Sequence, residues 1–236
     1  PPTAAAELRA LCSISSERNM KPELSIELLQ EEAAKFAEIE TAYDEPSLYG
    51  VTDGKAVGTY LEHKFTTFLA GTYNYRQGNS AAGIDIPGLG VDIKVTSVKQ
   101  PQSSCPFKSA SQKVFGLDYH LLIFVYDKYD DHENKTGRLN MQHTIFVEKQ
   151  RTADFQTTKG LLEIIARDGN LDDVIAFIAE RNLPVDEIGA HQLAERIIQT
   201  PPLQGYLTIS NALQWRLQYS RVIQMAGEIT GIYRVR

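Results

Sequence analysis

The sequence predicts a mixed α/β domain in which a central mixed sheet is flanked by helices, with helical N- and C-terminal parts. Near the N-terminus, residues 22–43 and 54–69 carry apolar side chains at helical spacing. The run HLLIFVYD, residues 120–127, is almost continuously apolar, as in a strand buried on both faces. Helices therefore occupy both ends of the chain and strands its middle. Further helices are predicted at 107–117, 159–167, 171–181, 186–199 and 208–228.

The other elements complete a single domain over residues 1–236. The segment KYDDHENKTGRLN, residues 128–140, predicts a solvated turn, and HTIFVEK after it predicts another strand. The alternating tail GIYRVR predicts a terminal strand. We expect a core within residues 50–150 and a mainly helical part within residues 151–236.

The composition argues against several classes of protein. No run of about 18 apolar residues occurs, and the first residues lack the pattern of a secretory signal, so a membrane protein is not expected. The net charge of −6 disfavours a nucleic-acid binder that ignores sequence. Cys12 and Cys105 have no metal-type spacing and suit the reduced thiols of a cytoplasmic protein. The histidines form no close metal pairing, and no GxSxG, Walker or GxGxxG motif occurs.

The stretch GIDIPGLGVDIKVTS, residues 83–97, places charged side chains inside a strand-like pattern. After a Pro-Gly turn, apolar residues at 91, 93 and 95 alternate with Asp92 and Lys94, so the two charged side chains share one face. Asp85 precedes the turn and has an isoleucine on either side. If its segment pairs with the strand as a hairpin, Asp85 joins the same polar patch.

Two carboxylates and one ammonium on one patch can support metal-assisted hydrolysis of a phosphodiester. Converging carboxylates repel each other unless a cation lies between them, and their oxygen atoms suit Mg²⁺. A nearby lysine can stabilise charge on the phosphate or orient the attacking water. The acid-x-Lys triplet alone is uninformative, because it occurs four times in this chain. A solvated strand face with a weak Asp92–Lys94 pair is the alternative interpretation.

The segment DIPGLGVDIKVT, residues 85–96, resembles the active-site segment of the PD-(D/E)xK nuclease superfamily. More closely, it is similar to that of the MutH-type mismatch-repair nicking endonuclease and of its relatives among the type II restriction endonucleases. That family also carries a Glu on a preceding helix, where this chain has Glu62. The resemblance covers residues 58–95. Its matching positions around the turn are Asp85, Leu89, Gly90, Val91, Asp92, Ile93 and Lys94.

The resemblance implies a restriction-endonuclease-like core and metal-dependent DNA cleavage. Asp85, Asp92 and the Ile93 carbonyl would then hold Mg²⁺, Lys94 would position the attacking water, and Glu62 would supply a further acid. Asp92 stands where the nicking enzyme more commonly has Glu, and either acid can ligate a metal. For Glu62, the alternative is a helix-surface residue that pairs with a neighbouring side chain.

Candidate DNA contacts lie in two places. On the predicted helix 208–228, polar residues three and four apart form one stripe that could enter a major groove, where Asn or Gln reads adenine and Arg reads guanine. Lysines in and beyond the polar loop 99–106 could contact phosphates. A solvated face on a packed helix is the alternative for the stripe. These candidates are Asn211, Gln214, Gln218 and Arg221 in the stripe, and Lys99, Lys108 and Lys113 near the loop.

Taken with the resemblance, the sequence predicts a Mg²⁺-dependent, sequence-specific endonuclease of the type II restriction class that acts on double-stranded DNA. A palindromic site would favour a homodimer, but the MutH-type relatives act as monomers, so both states stay open. Two alternatives are a strand-nicking repair endonuclease recruited by a partner protein and a catalytically silent DNA-binding module.

Overall fold

The computed structural model of the chain describes residues 21–78, 83–106, 108–210 and 215–236, without the side chain of Trp215. The helices are α1 Ile26–Thr41, α2 Gly54–Thr72, α3 Ser111–Phe115, α4 Phe155–Ala166, α5 Leu171–Glu180, α6 Glu187–Gln199 and α7 Ser220–Met225. The strands are β1 Asp44–Glu45, β2 Val91–Ser97, β3 Gln102–Cys105, β4 His120–Asp131, β5 Thr136–Val147, β6 Thr208–Ile209, β7 Trp215–Gln218 and β8 Ile232–Arg234. None of the described helices is both long enough and apolar enough to span a membrane.

The central sheet has the strand order β1-β5-β4-β2, and β8 also pairs with β5. Strands β2 and β4 run parallel, whereas the other pairs are antiparallel, so the sheet is mixed as the sequence predicts. A parallel pair needs a long crossover, and β3 and α3 supply it between β2 and β4. Strand β2 therefore forms one edge of the sheet among the described strands.

Strand β4 separates two apolar cores. Its residues from Leu121 to Tyr126 are all buried, which confirms the prediction of a strand covered on both faces. Leu122, Phe124 and Tyr126 point into the core formed with α1 and α2. The residues between them belong to a second core on the opposite face.

Helices α1 and α2 cover the first face through an aromatic contact at its centre. The ring centroid of Phe65 in α2 lies 5.0 Å from that of Phe36 in α1 and 5.1 Å from that of Phe124 in β4. Such tilted ring pairs add to the stabilisation that area burial provides. This packing fixes α2, which carries Glu62, against the sheet.

A three-stranded antiparallel sheet of order β3-β7-β6 covers the second face. Leu217 of β7 and Ile209 of β6 are buried in the second core, together with Val222 of α7. The remaining helices, α4 to α6, enclose a third apolar cluster with α3. The small sheet and the helical part thus pack around different apolar clusters.

Two sequence predictions for these elements are wrong. Residues 128–140 are not a solvated turn, because β4 and β5 extend as a hairpin and leave four residues between Asp131 and Thr136. Residues 208–228 are not one helix, because they hold β6, β7 and the short α7. Apolar residues at 215, 217 and 219 also fit a strand period, and pairing with β3 selects it. The C-terminal part is thus less helical than predicted.

Asp154 fastens the small sheet to the helical part. Its side chain is buried, and Oδ1 accepts hydrogen bonds from the Thr157 amide at 2.9 Å and the Thr157 hydroxyl at 2.7 Å, which caps α4. Its Oδ2 accepts from the amide of Ile209 in β6 at 2.8 Å. One carboxylate therefore joins a helix N-terminus to a strand.

We expect Asp154→Ala to lower the free energy of unfolding by about 3 kcal/mol, since it removes a helix cap and leaves buried amides without acceptors. The exposed N-cap Asp186, which accepts a single bond from Gly189, is the matched control. Asp186→Ala should cost about 1 kcal/mol, because water can replace an exposed cap. Urea unfolding of both variants measures the difference, and equal losses would contradict this role for Asp154.

Candidate active site

A tight turn places Asp85 beside β2. Ile86 and Val91 exchange backbone hydrogen bonds of 2.9 and 3.2 Å, so four residues, Pro87 to Gly90, close the turn between them. Gly90 has a φ of +61°, a conformation that costs residues with a Cβ about 1–2 kcal/mol. The hairpin expected from the sequence is thus reduced to one bridging pair.

Two backbone contacts hold Asp85 in position. Its Oδ2 accepts a hydrogen bond from the amide of Ile93 at 2.7 Å, on the free edge of β2. Its carbonyl accepts from the amide of Gly78 at 2.7 Å. A Cβ on Gly78 would lie 1.9 Å from the carbonyl oxygen of Ile84, so this close approach requires glycine.

Asp92 and Lys94 share the opposite face of β2 from Val91 and Ile93, which are buried in the first core. Asp92 is 5% exposed, and its Oδ2 lies 2.7 Å from the Lys94 ammonium. Burial raises the pKa of Asp92 to about 7, although the charge of Lys94 acts in the other direction. Burial lowers the pKa of Lys94, but Asp92 beside it outweighs that effect, so the net direction is upward.

Glu62 reaches the same cluster from α2. Its pKa rises to about 7 because it is partly buried and because it lies beside Asp85, with which it shares a hydrogen bond. The prediction of a helix at 54–69 is confirmed, and the structure brings Glu62 to the hairpin acids. At this position the Glu62 side chain is half-buried, and Asp85 is its neighbour.

The four side chains line one cavity of about 550 Å³. Burial and neighbouring acids raise the pKa of both Glu62 and Asp92, and a divalent cation beside these two carboxylates would oppose that shift. Among the described residues, no three His, Cys, Asp or Glu side chains are grouped as a ready metal site. The two carboxylates of Asp85 and Asp92 are nevertheless a donor set that could hold a divalent cation, with water and phosphate completing its shell.

A groove with a different charge adjoins this cavity. Two further cavities of about 530 and 780 Å³ share lining residues, and the larger one shares Glu62 and Lys94 with the acidic cavity. The groove is lined by five cationic side chains against three acidic ones, although the whole chain has a net charge of −6. The cations are Lys55, Lys94, Lys99, Lys128 and Arg216, and the acids are Asp53, Glu62 and Asp130.

The predicted phosphate contacts lie at different places. Lys99 is exposed and lines the groove, where its ammonium lies 3.7 Å from Asp127 Oδ1. Lys108 is exposed on the loop before α3. The prediction for Lys113 is wrong, because this side chain is 4% exposed and lies near the carboxylate of Asp154, within the fold.

The predicted base-reading stripe does not exist as one helical face. Gln218 is exposed at the end of β7, whereas Arg221 belongs to α7. The Arg221 guanidinium lies 3.7 Å from the ring centroid of Phe155, and its buried Nε has no hydrogen-bond partner among the described residues. Asn211 and Gln214 lie outside the described residues. The stripe is wrong because β7 replaces the predicted helix.

Sequence reasoning missed three residues of this region. Gly78 holds the Asp85 segment, buried Tyr119 lines the acidic cavity, and exposed Arg216 lines both cavities of the groove. The alternation of Arg216 and Gln218 with apolar residues at 215, 217 and 219 was the signal that could have placed Arg216 on a strand face. No comparable signal marks Gly78 or Tyr119.

A comparison with known proteins shows which family the chain belongs to. A family model described as type II restriction enzyme NspV matches residues 23–234. The chain belongs to the NspV family of type II restriction enzymes. A relative called type II restriction enzyme NspV, from Nostoc sp. (strain ATCC 29411 / PCC 7524), is 63% identical over 212 residues, which cover 90% of this chain and 96% of the relative. No solved structure matches the chain.

Membership of the NspV family makes the chain a type II restriction enzyme, that is, a site-specific DNA endonuclease. This confirms the function predicted from residues 85–96. The comparisons give no support to a strand-nicking repair enzyme or to a silent DNA-binding module.

We expect Gly78→Ala to lower the rate of DNA cleavage by roughly tenfold to 10²-fold, because displacing a catalytic group by about 1 Å has effects of this size. The added Cβ must move the backbone that carries Asp85. Gly71→Ala on α2 is the control, because its Cβ meets nothing within 4 Å. Cleavage rates and melting temperatures of both variants decide the matter. Unchanged cleavage by Gly78→Ala would show that this backbone contact does not position Asp85.

Proposed function

We propose that this type II restriction enzyme is a Mg²⁺-dependent endonuclease of the PD-(D/E)xK superfamily, with a restriction-endonuclease-like core, that hydrolyses both strands of double-stranded DNA. The observation that carries the proposal is the meeting of Glu62, Asp85, Asp92 and Lys94 in one cavity. That cavity shares Glu62 and Lys94 with the cationic groove, so a phosphate held at this end of the groove would lie near the acids.

Asp85, Asp92 and the carbonyl of Ile93 would hold Mg²⁺. The amide of Ile93 donates to Asp85, and in an extended strand the N–H and C=O of one residue point to the same side. The Ile93 carbonyl therefore faces the free edge of β2, on the side where Asp85 lies. When bound, Mg²⁺ would activate water and neutralise charge that develops on the phosphate.

Lys94 would act as a fixed positive charge and hydrogen-bond donor. Its raised pKa keeps the ammonium protonated at neutral pH, so it suits stabilisation of the phosphate and orientation of the water better than proton removal. Asp92 holds this ammonium at 2.7 Å and restricts its rotamers. Glu62 adds a third acid from the helix side, close to the groove.

The groove would hold the DNA backbone against the overall negative charge of the chain. Exposed Lys99 and Lys55 line it, one in each of its two cavities. Local cationic charge can attract a polyanion even when the net charge is negative. A homodimer, with two such sites related by a two-fold axis, would cut both strands of a palindrome, and a monomer is the alternative.

We expect Lys94→Ala to reduce the single-turnover rate of cleavage by about 10²-fold or more, because a positioned charge acts mainly on the transition state. Binding of the cognate duplex should change little. Lys159→Ala changes an exposed lysine of α4. It is the matched control and should cleave at the parental rate. A gel shift and single-turnover cleavage measure the two effects. Parental cleavage by Lys94→Ala would refute the catalytic assignment.

We expect cleavage to require Mg²⁺ or Mn²⁺ and to stop in excess chelator, whereas Ca²⁺ supports binding without cleavage. The assay is plasmid digestion with each ion. Full activity in chelator would exclude the metal mechanism, and a nicked circle instead of linear DNA would favour a nicking enzyme.

Glu62→Gln should slow the reaction and change the free energy of unfolding by less than about 0.5 kcal/mol, as for a partly exposed side chain.

A further inference from the structure

The small sheet presents a polar face in register beside the active site. In β3 and β7, Gln102 pairs with Gln218 and Ser104 pairs with Arg216. These four side chains share one face, because successive residues alternate. Leu217, between Arg216 and Gln218, and Cys105, next to Ser104, are buried on the opposite face. Thr208 of β6 extends the Gln102–Gln218 row by one strand.

The side chains of this face are not used by the fold. Ser104, Arg216 and Gln218 are exposed, and Gln102 is half-buried. None of the four side chains has a hydrogen bond or ion pair with another described residue. Arg216 and the two glutamines together offer the donors and acceptors that read base edges, and no packing role accounts for them.

The position of the face relative to the catalytic residues is suitable for contact with the same DNA. Gln102, Ser104 and Arg216 line the larger cavity of the groove together with Glu62 and Lys94. Gln218 lines a further small cavity with Lys99, next to the groove. DNA held in the groove would therefore meet the acids and the polar face together.

The spacing of the two rows also fits a duplex. Rows two residues apart on a strand are separated by about 7 Å, which matches two base-pair steps of about 3.4 Å. Two paired strands are about 4.8 Å apart, and the major groove, about 12 Å wide, admits a two-stranded ribbon. The face can thus address successive bases without rearrangement.

Thr96 connects this face rigidly to the catalytic strand. Its buried hydroxyl accepts a hydrogen bond from the Gln102 amide at 3.0 Å. Thr96 lies two residues beyond Lys94 on β2. The amide of Ile209 is fixed by Asp154, and the amide of Tyr219 donates to the Pro101 carbonyl at 2.8 Å. A base contact on the sheet is therefore held at a constant distance from the reacting phosphate.

We propose that the exposed face of the β3–β7 ribbon reads the recognition sequence from the major groove, with Arg216 and Gln218 as specificity-determining residues and Gln102 and Ser104 as supporting contacts. The proposal rests on the proposed function, since it places DNA in the same groove. Arg216 presents a fork of donors that matches O6 and N7 of guanine. Gln218 can pair with N6 and N7 of adenine.

The experiment first defines the parental recognition sequence by mapping the ends of digested DNA. Each variant is then tested in single-turnover cleavage against that duplex and against duplexes with one base pair changed. For Arg216→Ala we expect the preference at one G·C pair to fall by about tenfold or more, the effect of losing a bidentate base contact. Gln218→Ala should reduce the preference at one A·T pair, and other positions should stay unchanged.

Arg216→Lys separates base reading from attraction to phosphate. It keeps the positive charge but loses the planar fork, so affinity for duplexes in general should return while the preference for G·C does not. Arg167→Ala and Gln224→Ala are matched controls at exposed positions outside the groove, and neither should change the preference. Melting curves confirm that every variant is folded.

Two results would overturn the proposal. Unchanged preferences in Arg216→Ala and Gln218→Ala would place recognition elsewhere. A uniform loss of affinity for all duplexes, with a salt dependence reduced by about one unit of slope, would make Arg216 a phosphate contact. If the parental protein cuts no DNA, the proposed function fails. In that case, duplexes that bind in Ca²⁺ can be selected from a random pool, once with the parental protein and once with Arg216→Ala. The base preferences of the two selected sets then still test whether this face reads bases.

Discussion

The register of β2 is the constraint on which the active site depends. Val91 and Ile93 are buried in the core with α1 and α2, and this places Asp92 and Lys94 on the other face. A slip of one residue would turn both charges into the apolar core and move the isoleucine and valine to the face of the acidic cavity, so the core itself specifies which side chains meet in the candidate site. Pairing with β4 over seven residues secures the register.

The same strand shows why the site costs stability. Asp92 stands beside apolar residues of the second core, where its charge is poorly solvated, and two further acids approach it. Lys94 compensates part of this cost at 2.7 Å, but the pKa values of Glu62 and Asp92 remain raised. A fold selected for stability alone would replace such a cluster, so its presence fits a site that receives a cation and a phosphate.

The site is assembled by three parts of the chain that pack on one sheet. Helix α2 brings Glu62 over the first core, the turn before β2 brings Asp85 to the strand edge, and the small sheet closes the groove from the second face. Buried Asp154 and Thr96 tie the small sheet to the helical part and to β2 respectively. Because these connections are buried hydrogen bonds between different parts of the chain, the geometry of the groove depends on the whole domain.

The sequence by itself determined those local elements whose apolar spacing fits only one type of secondary structure. Helices α1 and α2, the buried strand β4 and the alternation of Asp92 and Lys94 with core residues follow from periodicity, and the family resemblance of residues 85–96 pointed to the function. Tertiary structure decided the rest. Glu62 is 23 positions from Asp85 in sequence, so packing of α2 on the sheet sets their approach. Residues 215–218 fit both periods, and β3 and β6 supplied the partners that made them a strand, since strand pairing is a non-local interaction.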